Sequence, residues 1–290
     1  MARAPAIGNV SFRYGRLVTC SDVVVRRFLL VERARIVVVA PWPAFVLAGA
    51  IIGTLMGLFG VGGSSVATPI LSLLGVPPLV AIASPLPATI PGAAAGAVAY
   101  VRSGEARPRA AAWTVVGGIP ATILGALLSR AVGGPSLLIA SGVVLGIIGW
   151  RVLQPIEQSA RDIGTRRRQN RPLLVAAAFG VGLFTGLLAN GGGFLLVPLY
   201  LLVFGLRMRQ AVGTSLLVIV FLAIPTLVTH WALGHIDWTV AGALALGLIP
   251  ASAVASRYAH RVEGPALRRA FGIFLVAFGV GFTVYRLVHR

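Results

Sequence analysis

Long apolar stretches separated by short polar loops make up most of this chain from residue 36 onward. The first stretch begins near Ile36 and runs to a glycine-rich interruption at 60–65. A helix that crosses a bilayer needs about 20 apolar residues, and most of the stretches approach or exceed that length. The pattern therefore predicts membrane-spanning helices. After the interruption, the predicted spans lie at about 80–101, 111–130, 136–153, 172–189, 194–206, 211–233, 238–255 and 266–288.

The glycine-rich interruption occurs twice. The segment from Gly57 to Pro69 returns as the segment from Gly186 to Pro198, and each has adjacent glycines at its centre. Glycine and proline at this density break a helix, and unpaired backbone in lipid costs several kcal/mol unless protein or water satisfies it. Two breaks at matching places indicate a substrate-binding function.

The correspondence between the halves extends beyond the breaks. An offset of 129 residues brings Gly53 onto Gly182, and one inserted residue later an offset of 130 brings Pro120 onto Pro250. Glycines and prolines in register over this length indicate an internal duplication. The predicted organisation is a basic N-terminal tail (1–35), a first transmembrane repeat (36–153), a basic cytoplasmic linker (154–171) and a second transmembrane repeat (172–290).

Arginines in the loops predict the orientation of each repeat, because arginine marks the cytoplasmic side. The loop at 102–109 is arginine-rich and the loop at 75–79 has no arginine, whereas the equivalent loops of the second half, at 234–237 and 205–210, show the reverse bias. Opposite bias is typical of inverted-topology repeats. Counting five crossings back from a cytoplasmic 102–109 loop places the basic tail outside, unless the first broken segment is re-entrant or long, or the tail is held inside against this count. Parallel repeats of four spans are the alternative.

The fold that these patterns predict is an all-α polytopic protein of the inner or plasma membrane. Its two inverted repeats each contain a glycine-broken helix pair and three transmembrane helices, giving about 8–10 membrane segments. Composition agrees, because 57% of the 290 residues are hydrophobic and only 11% are charged. The mean hydropathy is +0.92. The net charge of +18 comes from arginines in loops and tails, so we expect the lipid bilayer as a partner and no nucleic acid.

Several kinds of chemistry are not expected. The four histidines have no cysteine or carboxylate at ligand spacing, which argues against a metal. The glycine-rich breaks lack the lysine of a phosphate-binding loop, and the spans hold no nucleophile–base pair. We therefore expect neither a cofactor nor an enzyme. The sequence does not give the oligomeric state.

The candidate site consists of neutral hydrogen-bond donors, since every acidic residue falls in a tail or loop. A helix broken inside the membrane points its free N–H groups and positive dipole end into the gap, where an anion can bind. The alternatives to anion binding are purely structural: the glycines only allow tight helix packing, and the hydroxyls form hydrogen bonds with the backbone of their own helices. The candidate substrate-binding residues are Gly62, Gly63, Ser64, Ser65 and Ser84 in the first half, and Asn190, Gly191, Gly192, Gly193, Thr214 and Ser215 in the second.

Three segments together resemble the TauE/SafE family of sulfite and organosulfonate exporters. They are the pattern from Gly53 to Pro69, its repeat ending at Pro198, and the run Ala211-Val212-Gly213-Thr214-Ser215. The resemblance covers about residues 44–288. It implies a permease for sulfite, sulfonates or another small anion.

The function predicted from these observations is a secondary transporter that exports a small anion, most simply sulfite or an organosulfonate, by alternating access. A monovalent anion gains about 2.3 kcal/mol per 100 mV on leaving a negative interior, and no buried acid is present for ion coupling. One alternative is proton-coupled uptake of another small organic anion, which would depend on His230. The other is a membrane scaffold subunit without transport of its own.

Overall fold

The structure is a computed structural model that describes residues 41–132, 146–154, 171–187, 193–232 and 234–288. Every regular element in these ranges is a helix, which confirms the predicted fold class at the level of an all-α protein. The basic tail and nearly all of the linker lie outside the described residues. The proposed segment boundaries therefore stay predictions.

Proline marks most helix boundaries in the first half. Pro43 lies in the first turn of α1 and Pro78 begins α3, positions where the missing N–H costs no hydrogen bond. The proline-rich span predicted at 80–101 is interrupted by a turn at Ser84 and Pro85, and the helix then continues through Pro91. The first-half helices are α1 (Trp42–Phe59), α2 (Gly63–Leu73), α3 (Pro78–Ala83), α4 (Leu86–Arg102), α5 (Pro108–Val132) and α6 (146–153).

The second half has a similar series of helices, with the single helix α9 in place of α3 and α4. Its helices are α7 (Arg171–Leu187), α8 (Gly193–Pro198), α9 (Met208–Ala232), α10 (Trp238–Ala259) and α11 (Gly264–Val288). After Pro198, which cannot donate a backbone hydrogen bond, α8 continues as a π-helical turn over Leu199–Val203. The carboxylate of Asp237 caps α10, accepting from the amides of Thr239 (2.8 Å) and Val240 (3.1 Å).

Five helices of the described ranges are long and apolar enough to cross a membrane. They are Trp42–Phe59, Met208–Ala232, Trp238–Ala259, Gly264–Gly281 and the stretch Leu79–Arg102, in which α4 continues α3 after the turn at Ser84 and Pro85. A polytopic membrane protein was predicted, and these helices agree with it.

The helix pair α1 and α10 packs backbone against backbone. A Cβ atom added to Gly49, Gly53 or Gly57 would collide with successive carbonyl groups of α10, those of Leu244, Leu248 and Ser252. The two series of residue numbers rise together, so the helices run parallel. These three glycines, at four-residue spacing, therefore allow α10 to approach α1 closely.

The pair α5 and α7 repeats this packing at equivalent positions. In the first pair, Gly53 faces the carbonyl of Leu248; in the second, Gly182 faces the carbonyl of Gly118. These partners are the residues that offsets of 129 and 130 relate. Glycines of the partner helices make matching contacts in the other direction. Gly247 of α10 faces the carbonyl of Val46 on α1, and Gly117 of α5 faces the carbonyl of Val175 on α7. Both glycine-mediated pairs, α1–α10 and α5–α7, therefore join one helix of the first half to one helix of the second.

Two loop contacts follow the same relation. The amide of Asp237 donates to the hydroxyl of Ser84 (3.0 Å), and the amide of Arg107 donates to the hydroxyl of Thr214 (3.1 Å). An offset of 130 converts Ser84 into Thr214 and Arg107 into Asp237. In each half, a buried hydroxyl thus accepts a hydrogen bond from a loop of the other half. The two loops are those that precede α10 and α5.

Charge separates the two ends of the helix assembly. At one end, which we call the arginine end, the start of α9 contacts two loops, the one after α4 and the one after α10. Arg107 bonds Thr214 there, and an Arg209 guanidinium nitrogen donates to the carbonyl of Val262 at 2.7 Å. At the opposite, tryptophan end, Trp231 and Trp238 pack edge to face with centroids 6.4 Å apart. Tryptophan is a residue of membrane–water interfaces.

The close crossing of α1 and α10 makes a stability prediction. Gly247→Ala places a methyl group against α1 and should destabilise the protein by about 1–3 kcal/mol, the usual cost of overpacking. The control is Gly242→Ala in the same helix, where nothing lies within 4 Å of an added Cβ. That control should be neutral or stabilising, since alanine is the better helix former. Unfolding in detergent measures both; equal effects would contradict the packing.

Candidate functional site

The first glycine break is a tight reversal between α1 and α2. Gly60 ends α1 in the left-handed conformation (φ 66°), and its amide donates to the carbonyl of Met56 at 2.8 Å. This geometry suits glycine, which has no Cβ to clash. A Cβ on Gly63, the first residue of α2, would lie 2.7 Å from Met56 Cε, one turn before the end of α1. The chain therefore folds back on α1 as it enters α2.

The direction of α2 follows from what comes after it. Its C-terminal end leads through α3, which α2 contacts, to Ser84. Ser84 binds the backbone of Asp237 at the start of α10, and α10 runs parallel to α1. Hence α2 returns toward the end at which α1 began, and the two helices form a hairpin with its tip at Gly60–Gly62.

Two side chains from other helices bond backbone carbonyls at the tip. The hydroxyl of Ser215 on α9 donates to the carbonyl oxygen of Gly60 at 3.0 Å, and also lies 2.9 Å from that of Val212. The hydroxyl of Tyr100 on α4 donates to the carbonyl oxygen of Gly57 at 2.8 Å. Carbonyl groups that would otherwise be unpaired in an apolar interior are thereby satisfied.

The amide side of the break is buried. Ser64 and Ser65 are each only 2% exposed, and Gly62 and Gly63 are buried as well. The first backbone bond within the turn is donated by the amide of Ser65 to the carbonyl of Gly62, at 3.2 Å. Helix α2 begins at Gly63, within this buried segment. The positive end of the α2 dipole thus points into the protein interior.

Only part of the second break lies within the described residues. Gly193 begins α8, whereas Asn190, Gly191 and Gly192 lie outside the described ranges. Aromatic rings connect the two breaks, because Phe274 of α11 stacks on Phe59 (centroids 5.6 Å apart) and on Phe194 (6.3 Å). Helices α2 and α8 are also in contact. The first break and the start of α8 therefore lie close together in the core.

The remaining predicted hydroxyls differ in what they contact. Ser215 lies at the tip of the hairpin, as described above. Ser84 and Thr214 are fully buried, and each is bonded to loop backbone of the opposite half. Thr214 also donates to the carbonyl of Gln210 at 2.6 Å. The structure brings Ser215 to the first break, and gives Ser84 and Thr214 contacts that hold the halves together.

Sequence reasoning missed Tyr100 and Thr89 as neighbours of the break. Tyr100 is fully buried against α1, and the hydroxyl of Thr89 would lie 2.6 Å from a Cβ on Gly63. Neither stands in a motif, and an isolated tyrosine near a span end is typical of a membrane interface. Only the arrangement of the helices reveals their positions.

The buried polar side chains of the described residues carry no formal charge. They are hydroxyls and one carboxamide: Ser64, Ser65, Ser84, Thr89, Thr114, Gln210, Thr214, Ser215, Ser252 and Ser256. No group of three or more potential metal ligands occurs in these ranges either. The break can therefore offer hydrogen bonds and a helix dipole, which suit an anion better than a cation.

Comparison with known proteins assigns the chain to a family. The family profile described as sulfite exporter TauE/SafE matches residues 45–282. The chain belongs to this family. Members are named as transporters, which agrees with the apolar helices and with the prediction that the chain is a membrane permease.

Relatives cover most of this TauE/SafE protein. A "Probable membrane transporter protein" of Xylella fastidiosa is 28% identical over 251 residues, 82% of this chain and 93% of the relative. The "Probable membrane transporter protein YunE" of Bacillus subtilis is 28% identical over 225 residues, 70% of this chain and 82% of the relative. No solved structure matches the chain.

The tip of the hairpin generates a paired prediction. Gly60→Ala combines a left-handed backbone, which costs alanine about 1–2 kcal/mol, with a collision between its Cβ and the Ser215 hydroxyl. We expect it to abolish transport. The control is Gly104→Ala, which has a similar φ of 69° but nothing within 4 Å of the added Cβ.

Gly104→Ala should lose stability by about the backbone cost alone and keep its transport. Solute flux in proteoliposomes, with thermal unfolding measured in parallel, separates the two effects. If both variants lose transport equally, the crowding at Gly60 has no functional role.

Proposed function

We propose that this protein is a secondary transporter that exports a small anion, most simply sulfite or an organosulfonate. The observation that carries the proposal is the buried start of α2 at Gly62–Ser65, where the positive end of a helix dipole lies in the protein interior. Family membership supports the same solute class, since the family is described as sulfite exporters. A sulfonate offers three acceptor oxygens, which match a cluster of uncharged donors.

The second break completes the proposed site. Its amides at Gly191, Gly192 and Gly193, with the carboxamide of Asn190, would approach the anion from α8. Contact between α2 and α8, and the stacking of Phe274 on both Phe59 and Phe194, support this arrangement. The anion would then lie between two helix starts, one from each half.

Inverted repeats supply the proposed mechanism. The glycine crossings and the Ser84 and Thr214 loop contacts recur at positions that sequence offsets of 129 and 130 relate, which supports two halves related by a pseudo-two-fold axis. A small rotation of one half against the other would break and remake equivalent contacts on opposite sides. The site between the halves would thus open alternately to each side of the membrane.

The orientation follows from the charges. By the positive-inside rule the arginine end faces the cytoplasm, because Arg102, Arg207 and Arg257 are exposed there. A negative interior then drives a monovalent anion outward by about 2.3 kcal/mol per 100 mV. This corresponds to about a 50-fold gradient, so export requires no coupled ion.

Flux in proteoliposomes tests the proposal. Vesicles loaded with labelled methanesulfonate, a monovalent sulfonate, receive an imposed membrane potential, and efflux should accelerate when the interior is negative. Vesicles carrying the Gly60→Ala variant provide the control for leakage. Flux that ignores voltage would overturn electrogenic export.

The same vesicles distinguish the alternatives. Uptake that requires a pH gradient and disappears in His230→Gln would favour a proton-coupled permease. His230 is the residue to change because histidine can carry a proton near neutral pH; its Nδ1 atom lies 3.4 Å from that of His235 at the tryptophan end. Movement of none among sulfite, sulfonates and carboxylates would favour a scaffold subunit.

A further inference from the structure

The outer surface of the α1–α10 pair carries a groove of about 530 Å³. Its lining combines small or constrained side chains with larger apolar ones. The residues that matter here are Ala50, Thr54, Leu58, Pro250, Val254 and Tyr258. Exposed apolar side chains, such as Leu47 (64%) and Leu246 (67%), occur on the same two helices. This face is therefore the one that lipid would cover.

The groove results from residues that are particular to this helix pair. At the positions equivalent to Ala50 and Thr54, offset by 129, the second half has Phe179 and Leu183 on α7. The proline equivalent to Pro250 is present there as Pro120. The side chains of α1 at these two positions are thus smaller than those at the equivalent positions of α7.

The arginine end of the groove is positively charged. On α10, Arg257 lies three residues after Val254, so both occupy the face that borders the groove. Arg261 follows in the next turn, where its amide donates to the carbonyl of Tyr258 at 2.8 Å. Both arginines are exposed, and in the described ranges neither has a carboxylate partner. Tyr258, 58% exposed, combines an apolar ring with a hydroxyl at the same level.

We propose that this groove binds an anionic phospholipid from the cytoplasmic leaflet. One acyl chain lies between α1 and α10 over Ala50 and Pro250. The phosphate lies at the arginine end against Arg257 and Arg261, with the Tyr258 hydroxyl beside it. Basic pockets between transmembrane helices on the cytoplasmic side are suited to anionic headgroups. The charge at one end of an apolar slot is what selects a lipid over a second protein chain.

The test compares phosphatidylglycerol with phosphatidylcholine of identical acyl chains. Spin-labelled versions of each lipid are titrated onto the full chain in mixed micelles, and the immobilised fraction gives the relative association constants. The native protein should prefer phosphatidylglycerol. Arg257→Gln with Arg261→Gln should reduce that preference about fivefold for each arginine removed. The charge-matched control, Arg102→Gln with Arg269→Gln, removes two exposed arginines that do not border the groove and should leave the preference within about twofold.

A second variant tests the acyl slot. Ala50→Phe fills the groove with the residue that the other half carries, and should lower the association of both lipids. Val116→Phe adds the same ring to an exposed position of α5 (60% exposed) and should not.

Two results would overturn the proposal. One is equal binding of the two lipids by the native protein, or a preference that survives loss of both arginines. The other is a native dimer that Ala50→Phe converts to a monomer with the lipid preference unchanged, because a second copy would then occupy the groove. The arginine variants change only exposed side chains, so they decide the question even if Ala50→Phe does not fold.

Discussion

Backbone polar groups in an apolar interior must find partners, and this constraint shapes the whole assembly. An uninterrupted helix satisfies its own backbone, but a break at Gly60–Gly62 does not. Here the carbonyls are satisfied from outside the broken segment, by Ser215 at Gly60 and Tyr100 at Gly57. Those contacts require α9 and α4 to lie close to α1. The break and its surrounding helices therefore depend on each other.

Glycine makes that proximity possible. Along α1 the residues Gly49, Gly53 and Gly57 remove side chains from the contact, so that α10 comes within backbone distance. In lipid there is little hydrophobic drive between helices, and close van der Waals packing replaces it. The same device recurs in the α5–α7 pair. Tight crossings hold the frame, and the broken segments lie inside it.

Sequence patterns predicted the elements better than their partners. The four-residue spacing of Gly49, Gly53 and Gly57 is typical of a packing face. The glycine runs predicted the breaks, because that signal is local. Nothing local indicated that α10 would be the partner, or that Thr214 would bond the loop at Arg107 while its neighbour Ser215 reached the break. Such pairings depend on how the halves interlock. They involve residues more than a hundred positions apart.

In the proposed site, uncharged groups bind the anion, and this affects how the anion is released. Buried charges would bind an anion strongly but would be costly in an apolar interior once the anion had left. Hydroxyls and helix-end amides can instead release it, because their dipoles need no counter-ion. A site of this kind suits a carrier that empties on each cycle. It also leaves the membrane potential as the driving force.

The most direct measurement is anion protection of a cysteine placed at the break. Cys20, the one native cysteine, is replaced by serine, and Ser65→Cys is alkylated by a small thiol reagent with and without methanesulfonate. Ser103→Cys, exposed at the arginine end, is the control. The account predicts that methanesulfonate slows alkylation at position 65 and leaves position 103 unchanged. Equal rates at position 65 with and without the anion, or no reaction there at all, would contradict it.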